Sequence, residues 1–143
     1  MFGIIFSIIA GVTMSLQGVF NTRLSNKIGL WETNLIVQGT AFLFTLIAYF
    51  FLKSGQMSNV KSVNKLYLLG GFIGVIITYT VMKGIGDLGP TFSIGIILIS
   101  QLISAAIIDG FALFDSAKVH FHWNNYLGII LMIVGIILFK FKN

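Results

Sequence analysis

Polar side chains inside long uncharged stretches are the residues of this sequence that could do chemistry. Thr13, Gln17 and Asn21 follow one another at a spacing of four, which places them on one face of a helix. Polar groups are costly in lipid and tend to face a bundle interior or a wet cavity. We therefore predict a substrate cavity lined by these three residues and by polar residues of later stretches: Gln38, Tyr79, Ser100, Gln101 and Ser104. Hydrogen bonding between helices, at about 0.6 kcal/mol per bond, is the alternative role for each of them.

Asp109 is the acidic residue that lies inside an apolar stretch, on the helix face that also carries Gln101 and Ala105. A poorly solvated site favours the neutral form of a carboxyl group. An ionisable residue within a membrane is a functional candidate by default, so Asp109 is the candidate for proton coupling. The alternative is an acid at the membrane interface, at the end of its helix and paired with a lysine.

The motifs of common enzymes are absent. The sequence has no cysteine, no P-loop, no G-x-S-x-G nucleophile motif and no recognisable catalytic triad. His120 and His122 form a His-x-His pair, but two ligands without acids or cysteines close by are a weak sign of a metal site. We expect no enzymatic activity, no metal and no cofactor.

The composition indicates a membrane protein. Hydrophobic residues make up 57% of the 143 residues and charged residues 9%, against about 25% charged in a soluble domain. Five uncharged stretches reach the length of about 17 residues that a span needs, and backbone groups in lipid must pair within a helix. The sequence predicts an all-α polytopic membrane protein, with residues 1–143 as a single transmembrane domain and helices near 2–22, 33–52, 66–84, 90–113 and 123–141.

The basic residues lie at the ends of the stretches, where they anchor helices at the interface and do not suggest nucleic-acid binding. With five spans, the Lys and Arg residues would be divided almost equally between the two sides of the membrane. Five lie on one side (Arg23, Lys27, Lys83, Lys140, Lys142) and four on the other (Lys53, Lys61, Lys65, Lys118). Orientation follows the Lys/Arg bias, so two interpretations stay open. Either one charge or a partner decides the orientation, or molecules insert both ways and pair head to tail.

Small residues at helical spacing predict close helix packing. They are Gly11 and Gly18 in the first helix, Gly70 and Gly74 in the third, and Gly128 and Gly135 in the fifth. Such spacing lets helix backbones approach in lipid. The contacts are either within the chain or across a dimer face, and the fifth helix is favoured for a dimer because it has almost no polar residues.

Residues 10–24, AGVTMSLQGVFNTRL, resemble the opening of the YdcZ-like family of the drug/metabolite transporter superfamily. Residues 101–111, QLISAAIIDGF, and the closing helix at 128–139 are similar too. The resemblance implies a small exporter or exchanger in the bacterial inner membrane, in a superfamily that often uses two five-helix halves in opposite orientations. The related small multidrug exporters carry a proton-binding glutamate in the first helix, whereas this sequence offers Gln17, which does not titrate. Any proton coupling would therefore need Asp109.

Together these features predict a multi-pass small-molecule transporter that works as an antiparallel homodimer. Each copy would be one half of an inverted-repeat transporter, because an inverted second copy supplies the missing half and a site near the midplane. The expected partners are a second copy, the lipid bilayer and an unidentified small-molecule substrate. A small dual-topology ion channel and a non-transporting accessory subunit are the alternatives.

Overall fold

The computed structural model describes residues 2–140, and these residues form five α-helices without any strand. All five are long and apolar enough to cross a membrane, counting a short 3₁₀ turn that precedes the third. The prediction of an all-α polytopic membrane protein is therefore confirmed. The helices are α1 (Phe2–Ile28), α2 (Leu30–Leu52), α3 (Gly70–Leu88), α4 (Pro90–Phe111) and α5 (Trp123–Lys140).

Several helix boundaries differ from the predicted ones, and α1 and α3 continue past basic residues. α1 continues past Arg23 to Ile28, and Lys27 stands in its last turn, where a cation is favourable for the helix dipole. α3 begins at Gly70, later than residue 66, and runs past Lys83 to Leu88. α4 ends at Phe111, two residues before the predicted end. The predicted end of the fifth helix at residue 141, and Lys142, lie outside the described residues.

A single residue, Gly29, joins α1 to α2. Its φ is +102°, a conformation that glycine adopts without strain. The Gly29 carbonyl then accepts hydrogen bonds from the backbone N–H of Thr33 (3.2 Å) and from the Thr33 hydroxyl (2.8 Å). The first two helices are thereby tied into a tight helical hairpin.

The chain forms two compact units, divided between Asp87 and Leu88. In the first unit, α3 packs against α1 where Val81 and Ile85 lie over Gly18. Met82 is buried beside the same segment, and its carbonyl lies 3.5 Å from the Thr22 hydroxyl. Because Gly18 has no side chain, the two helices can approach closely at this point.

The second unit consists of α4, α5 and the link between them. Gly95 of α4 lies against Ile136 of α5, and the Lys140 ammonium lies 5.3 Å from the centre of the Phe92 ring. The link folds back on the end of α4. The Val119 amide donates to the Asp109 carbonyl (3.0 Å), and the Ser116 hydroxyl donates to the Ile108 carbonyl (3.2 Å).

Most apolar side chains point outward. Met82 and Ile85 are the apolar side chains buried within the described part of the chain. An exposed surface of this kind is untenable in water but is what lipid covers in a membrane. The packing inside each unit therefore depends on small residues and hydrogen bonds more than on a large apolar core.

The predicted small residues divide into two groups. A methyl group added at Gly18 would lie 2.7 Å from the end of Ile85, and one added at Gly74 would lie 3.9 Å from the Gln38 amide. By contrast, added methyl groups would meet open space at the other four positions: Gly11, Gly70, Gly128 and Gly135. The first two residues serve packing within the chain, while the other four leave room for lipid or a partner. Gly95 is a packing glycine that the sequence analysis did not identify.

The glycine at the α1–α3 contact gives a first testable prediction. Gly18→Leu is expected to lower stability in detergent by about 1–3 kcal/mol, the cost of overpacking a tight contact. The reason is that Ile85 and Val81 already occupy the space that the new side chain would need. Thermal unfolding, followed by the recovery of monodisperse protein after heating, measures the change.

Gly39→Leu is the matched control, because Gly39 lies within α2 and a side chain there meets open space. It should leave the unfolding temperature unchanged. Equal losses of stability in the two variants would show that the α1–α3 contact is not the reason why a side chain at position 18 is destabilising.

Candidate functional site

The polar face predicted on α1 is partly open and partly enclosed. Thr13 and Gln17 are exposed, whereas Asn21, one turn further on, is buried. The Thr13 hydroxyl donates to the Ile9 carbonyl of its own helix (2.8 Å). Gln17 has no hydrogen bond to any residue from 2 to 140. The face is therefore a polar surface of the single chain, and neither the Gln17 amide nor the buried Asn21 amide has a side-chain hydrogen bond to a described residue.

Gln38 and Tyr79, predicted as cavity residues, lie where α2 meets α3. The Gln38 amide donates to the Thr78 hydroxyl (3.1 Å), which donates in turn to the Gly74 carbonyl (3.0 Å). The Tyr79 ring stacks on Trp31, with ring centroids 4.8 Å apart and planes 29° from parallel. Both predicted residues are thus held in place by the helix opposite.

Asn34 is a polar residue of this contact that the sequence analysis missed. Its side chain is 2% exposed, and its amide donates to the Val75 carbonyl (2.9 Å). Its side-chain oxygen is buried and has no partner in the described chain. Leaving a buried acceptor unpaired costs about 1–3 kcal/mol, so this oxygen is a place for a donor such as water or a substrate N–H group.

The signal for Asn34 was present in the sequence. It lies four residues before Gln38, the same spacing that identified Thr13, Gln17 and Asn21. The predicted second helix began at residue 33, which placed Asn34 in its first turn. The structure instead begins α2 at Leu30, which moves Asn34 into the second turn and against α3.

The polar residues predicted on α4 are exposed. Ser100 donates its hydroxyl proton to the Ile96 carbonyl (2.9 Å) and is satisfied within its own helix. Gln101 and Ser104 have no side-chain hydrogen bond to any described residue. Like Gln17, Gln101 is therefore an unpaired amide near the middle of a membrane-spanning helix.

Asp109 lies in a groove between α4 and α5. The groove has a volume of about 300 Å³, and its other lining residues include Ala105, Phe121, Asn125 and Gly128. Asp109 is half-buried, and its carboxylate has no ion pair or hydrogen bond within residues 2–140. A mostly apolar groove with one free carboxylate is suited to a proton or to the positive group of a small ligand.

Other charged groups contribute less to any site. Lys83 and Asp87 form an exposed ion pair on α3 at 3.0 Å, and such pairs stabilise by about 0–1 kcal/mol. His120 and His122 belong to no group of three metal-ligating side chains in the part of the chain that the structure describes.

One family model matches residues 2–138, nearly the whole chain, and describes its family as "Putative inner membrane exporter, YdcZ". The chain belongs to the YdcZ family. The family resemblance found in the sequence is thereby confirmed. No curated protein and no solved structure matches the chain.

Membership of the YdcZ family agrees with the five membrane-spanning helices. This YdcZ-family protein is a multi-pass inner-membrane protein, and its family is one of transporters rather than enzymes. The Asp109 groove and the unpaired amides described above are therefore candidates for substrate binding and for assembly.

Proposed function

We propose that this YdcZ-family protein exports a small molecule and that two copies, inserted in opposite orientations, form the working transporter. Polar residues at the α2–α3 contact and on the outer face of α1 contribute to the substrate cavity. Asp109 contributes a negative charge that binds either a proton or a cationic substrate.

The observation that carries this proposal is the pair of unpaired amides at Gln17 and Gln101. Both are exposed on the single chain, and neither has a hydrogen bond to a described residue. Polar groups without partners are costly in lipid, so they face a cavity or another protein surface in the working assembly. A second copy and the cavity it completes would cover both.

The distribution of charge supports the inverted arrangement. Lys and Arg divide five to four between the two sides, which gives the membrane insertion machinery almost no preference. An odd number of spans means that two copies in opposite orientations form an inverted repeat, the arrangement of many transporters with a midplane site. Four open glycines on α1, α3 and α5 also leave room for close helix contacts between copies.

The experiment that tests the cavity is the substitution Gln17→Leu. We expect it to reduce transport at least tenfold, about 1.4 kcal/mol, while leaving expression unchanged. Leucine keeps a similar size but removes both the donor and the acceptor of the amide. Uptake into proteoliposomes is measured for the compound that most raises the melting temperature, within a panel of cationic drugs, amines and metabolites.

Gln56→Leu serves as the control, because Gln56 is exposed in the polar link outside the helices. It should transport as the wild type does. Full activity in Gln17→Leu would instead assign Gln17 to helix packing and remove the α1 face from the cavity. Flux that shows no saturation with concentration would identify a channel.

A further inference from the structure

A second groove of the α4–α5 unit lies beside the Asp109 groove, has a volume of about 500 Å³ and is mostly apolar. This volume falls in the range of sites that hold small ligands, about 300–1,000 Å³. Its apolar part includes Ile103, Ala106 and Ile107 of α4, and Ile129 of α5. We name it the link groove because Lys118, Val119, His120 and Phe121 of the α4–α5 link also line it.

The link groove has a polar end and an apolar end. Lys118 and His120 lie in the link outside the helices, and Tyr126 lies in the first turn of α5. From Gly110 to Ile103 the lining continues along α4 for about 10 Å, at about 1.5 Å of rise per residue. The groove thus runs from the membrane surface, where α4 ends, toward the hydrocarbon region.

The polar end carries the positive charge of Lys118, which is not paired with an acid among the described residues. Lys118 has no ion pair or hydrogen bond with any residue from 2 to 140, and Lys118 and His120 are both exposed. The His120 ring and the Tyr126 hydroxyl are further donors at this end. Asp109, the nearest acid along α4, lines the neighbouring groove on the other side of Ala106.

The backbone of the link is held so that these groups stay over the groove. The Val119 amide donates to the Asp109 carbonyl, and the Phe121 ring lies 3.8 Å from the position of a methyl group added at Gly110. Phe121 also contacts the Tyr126 ring, with centroids 6.3 Å apart. Val119 and Phe121 therefore attach the polar end to α4 and α5.

We infer that the link groove binds an anionic phospholipid, with one acyl chain along Ile103, Ala106 and Ile107 and the phosphate at Lys118 and His120. Basic pockets between membrane helices at the membrane surface are suited to anionic lipid headgroups. A tyrosine at the interface fits the same depth, since its ring is apolar and its hydroxyl is polar. The link groove shares Ala106, Phe121 and Ile129 with the neighbouring Asp109 groove, but its test measures lipid binding and does not depend on transport.

The test is native mass spectrometry of the full chain in detergent, titrated with phosphatidylglycerol or with phosphatidylcholine of the same acyl chains. We expect phosphatidylglycerol to bind about fivefold more tightly, the factor that one cation near an anionic lipid surface provides. Lys118→Gln with His120→Gln should remove this preference. Lys61→Gln with His122→Gln is the matched control, because both residues are exposed and neither lines the groove, and it should keep the preference.

Two further measurements test whether the acyl chains contribute to binding, and the lipid content of the purified dimer tests whether a second copy fills the groove instead. Glycerophosphoglycerol, which has the headgroup without acyl chains, should bind much more weakly, and Ala106→Phe should reduce the binding of both lipids by filling the apolar part. An unchanged preference in the Lys118/His120 variant would overturn the assignment. So would equal binding of glycerophosphoglycerol, which would indicate an anion site only, or a wild-type dimer that retains no lipid, which would indicate that a second copy covers the groove.

Discussion

Asp109→Asn is expected to abolish pH-driven transport and to weaken the binding of a cationic substrate about tenfold at neutral pH. Asparagine keeps the size and the hydrogen bonding of the residue but cannot carry a negative charge or a proton. Removing one partner of a fully buried charge pair costs about 2–5 kcal/mol of binding free energy. Because Asp109 is only half-buried, we expect a smaller loss of about 1.4 kcal/mol, which corresponds to the tenfold change in affinity.

The physical reason is that the Asp109 carboxylate has no counter-charge within residues 2–140. In a groove lined by Ala105, Phe121 and Gly128, a proton and a cationic substrate would compete for the same carboxylate. Proton binding at low pH would then displace the substrate, and substrate binding would release the proton. The asparagine variant should therefore lose both the attraction for a cationic substrate and the coupling of substrate binding to a proton.

Transport driven by a pH gradient in proteoliposomes, together with the substrate affinity of the wild type and the variant at neutral pH, measures both effects. Asp87→Asn is the control, since Asp87 is exposed and pairs only with Lys83 on its own helix. It should leave the pH dependence unchanged. Equal substrate affinity and equal pH-driven transport in the wild type and in Asp109→Asn would remove Asp109 from the mechanism.

The number and type of the elements could be predicted because lipid imposes one requirement on every span. Each uncharged stretch was long enough to cross, and helices alone satisfy its backbone there. The boundaries were less accurate because charge was used to end a helix. Arg23, Lys27 and Lys83 lie inside helices, since a long basic side chain can extend along the helix to reach the interface.

The candidate site was harder to predict because it depends on which helix meets which. Spacing along one helix identified Gln38, but only the packing of α3 explains its hydrogen bond to Thr78 and the buried position of Asn34. The two α4–α5 grooves depend on a link that folds back on α4, where Ala112, Phe114 and Asp115 have positive φ. No periodic pattern in the sequence encodes that path, so the lining of these grooves could not be predicted.

A reporter fused to the C-terminus is expected to appear on both sides of the membrane in a single preparation. The five-to-four division of Lys and Arg gives a bias of one residue, and orientation follows that bias. Exposed positions in the link between α2 and α3 allow the bias to be changed in either direction. Four added lysines (Ser54→Lys, Gln56→Lys, Ser58→Lys and Asn59→Lys) change the division to five against eight and should hold this link in the cytoplasm. Lys61→Gln with Lys65→Gln changes it to five against two and should favour the opposite orientation.

If the working unit is an inverted pair, transport should require copies in both orientations. Each charge variant alone should lose most of its transport, because it supplies copies in one orientation only. The two variants expressed together should recover it, since each then meets an inverted partner. Ser54→Gln with Ser58→Gln and Asn59→Gln, which changes three of the same positions without adding charge, should keep both orientations and full activity. A C-terminus found on one side only in the wild type, or full transport by either charge variant alone, would contradict the inverted dimer and leave an exporter whose copies all share one orientation.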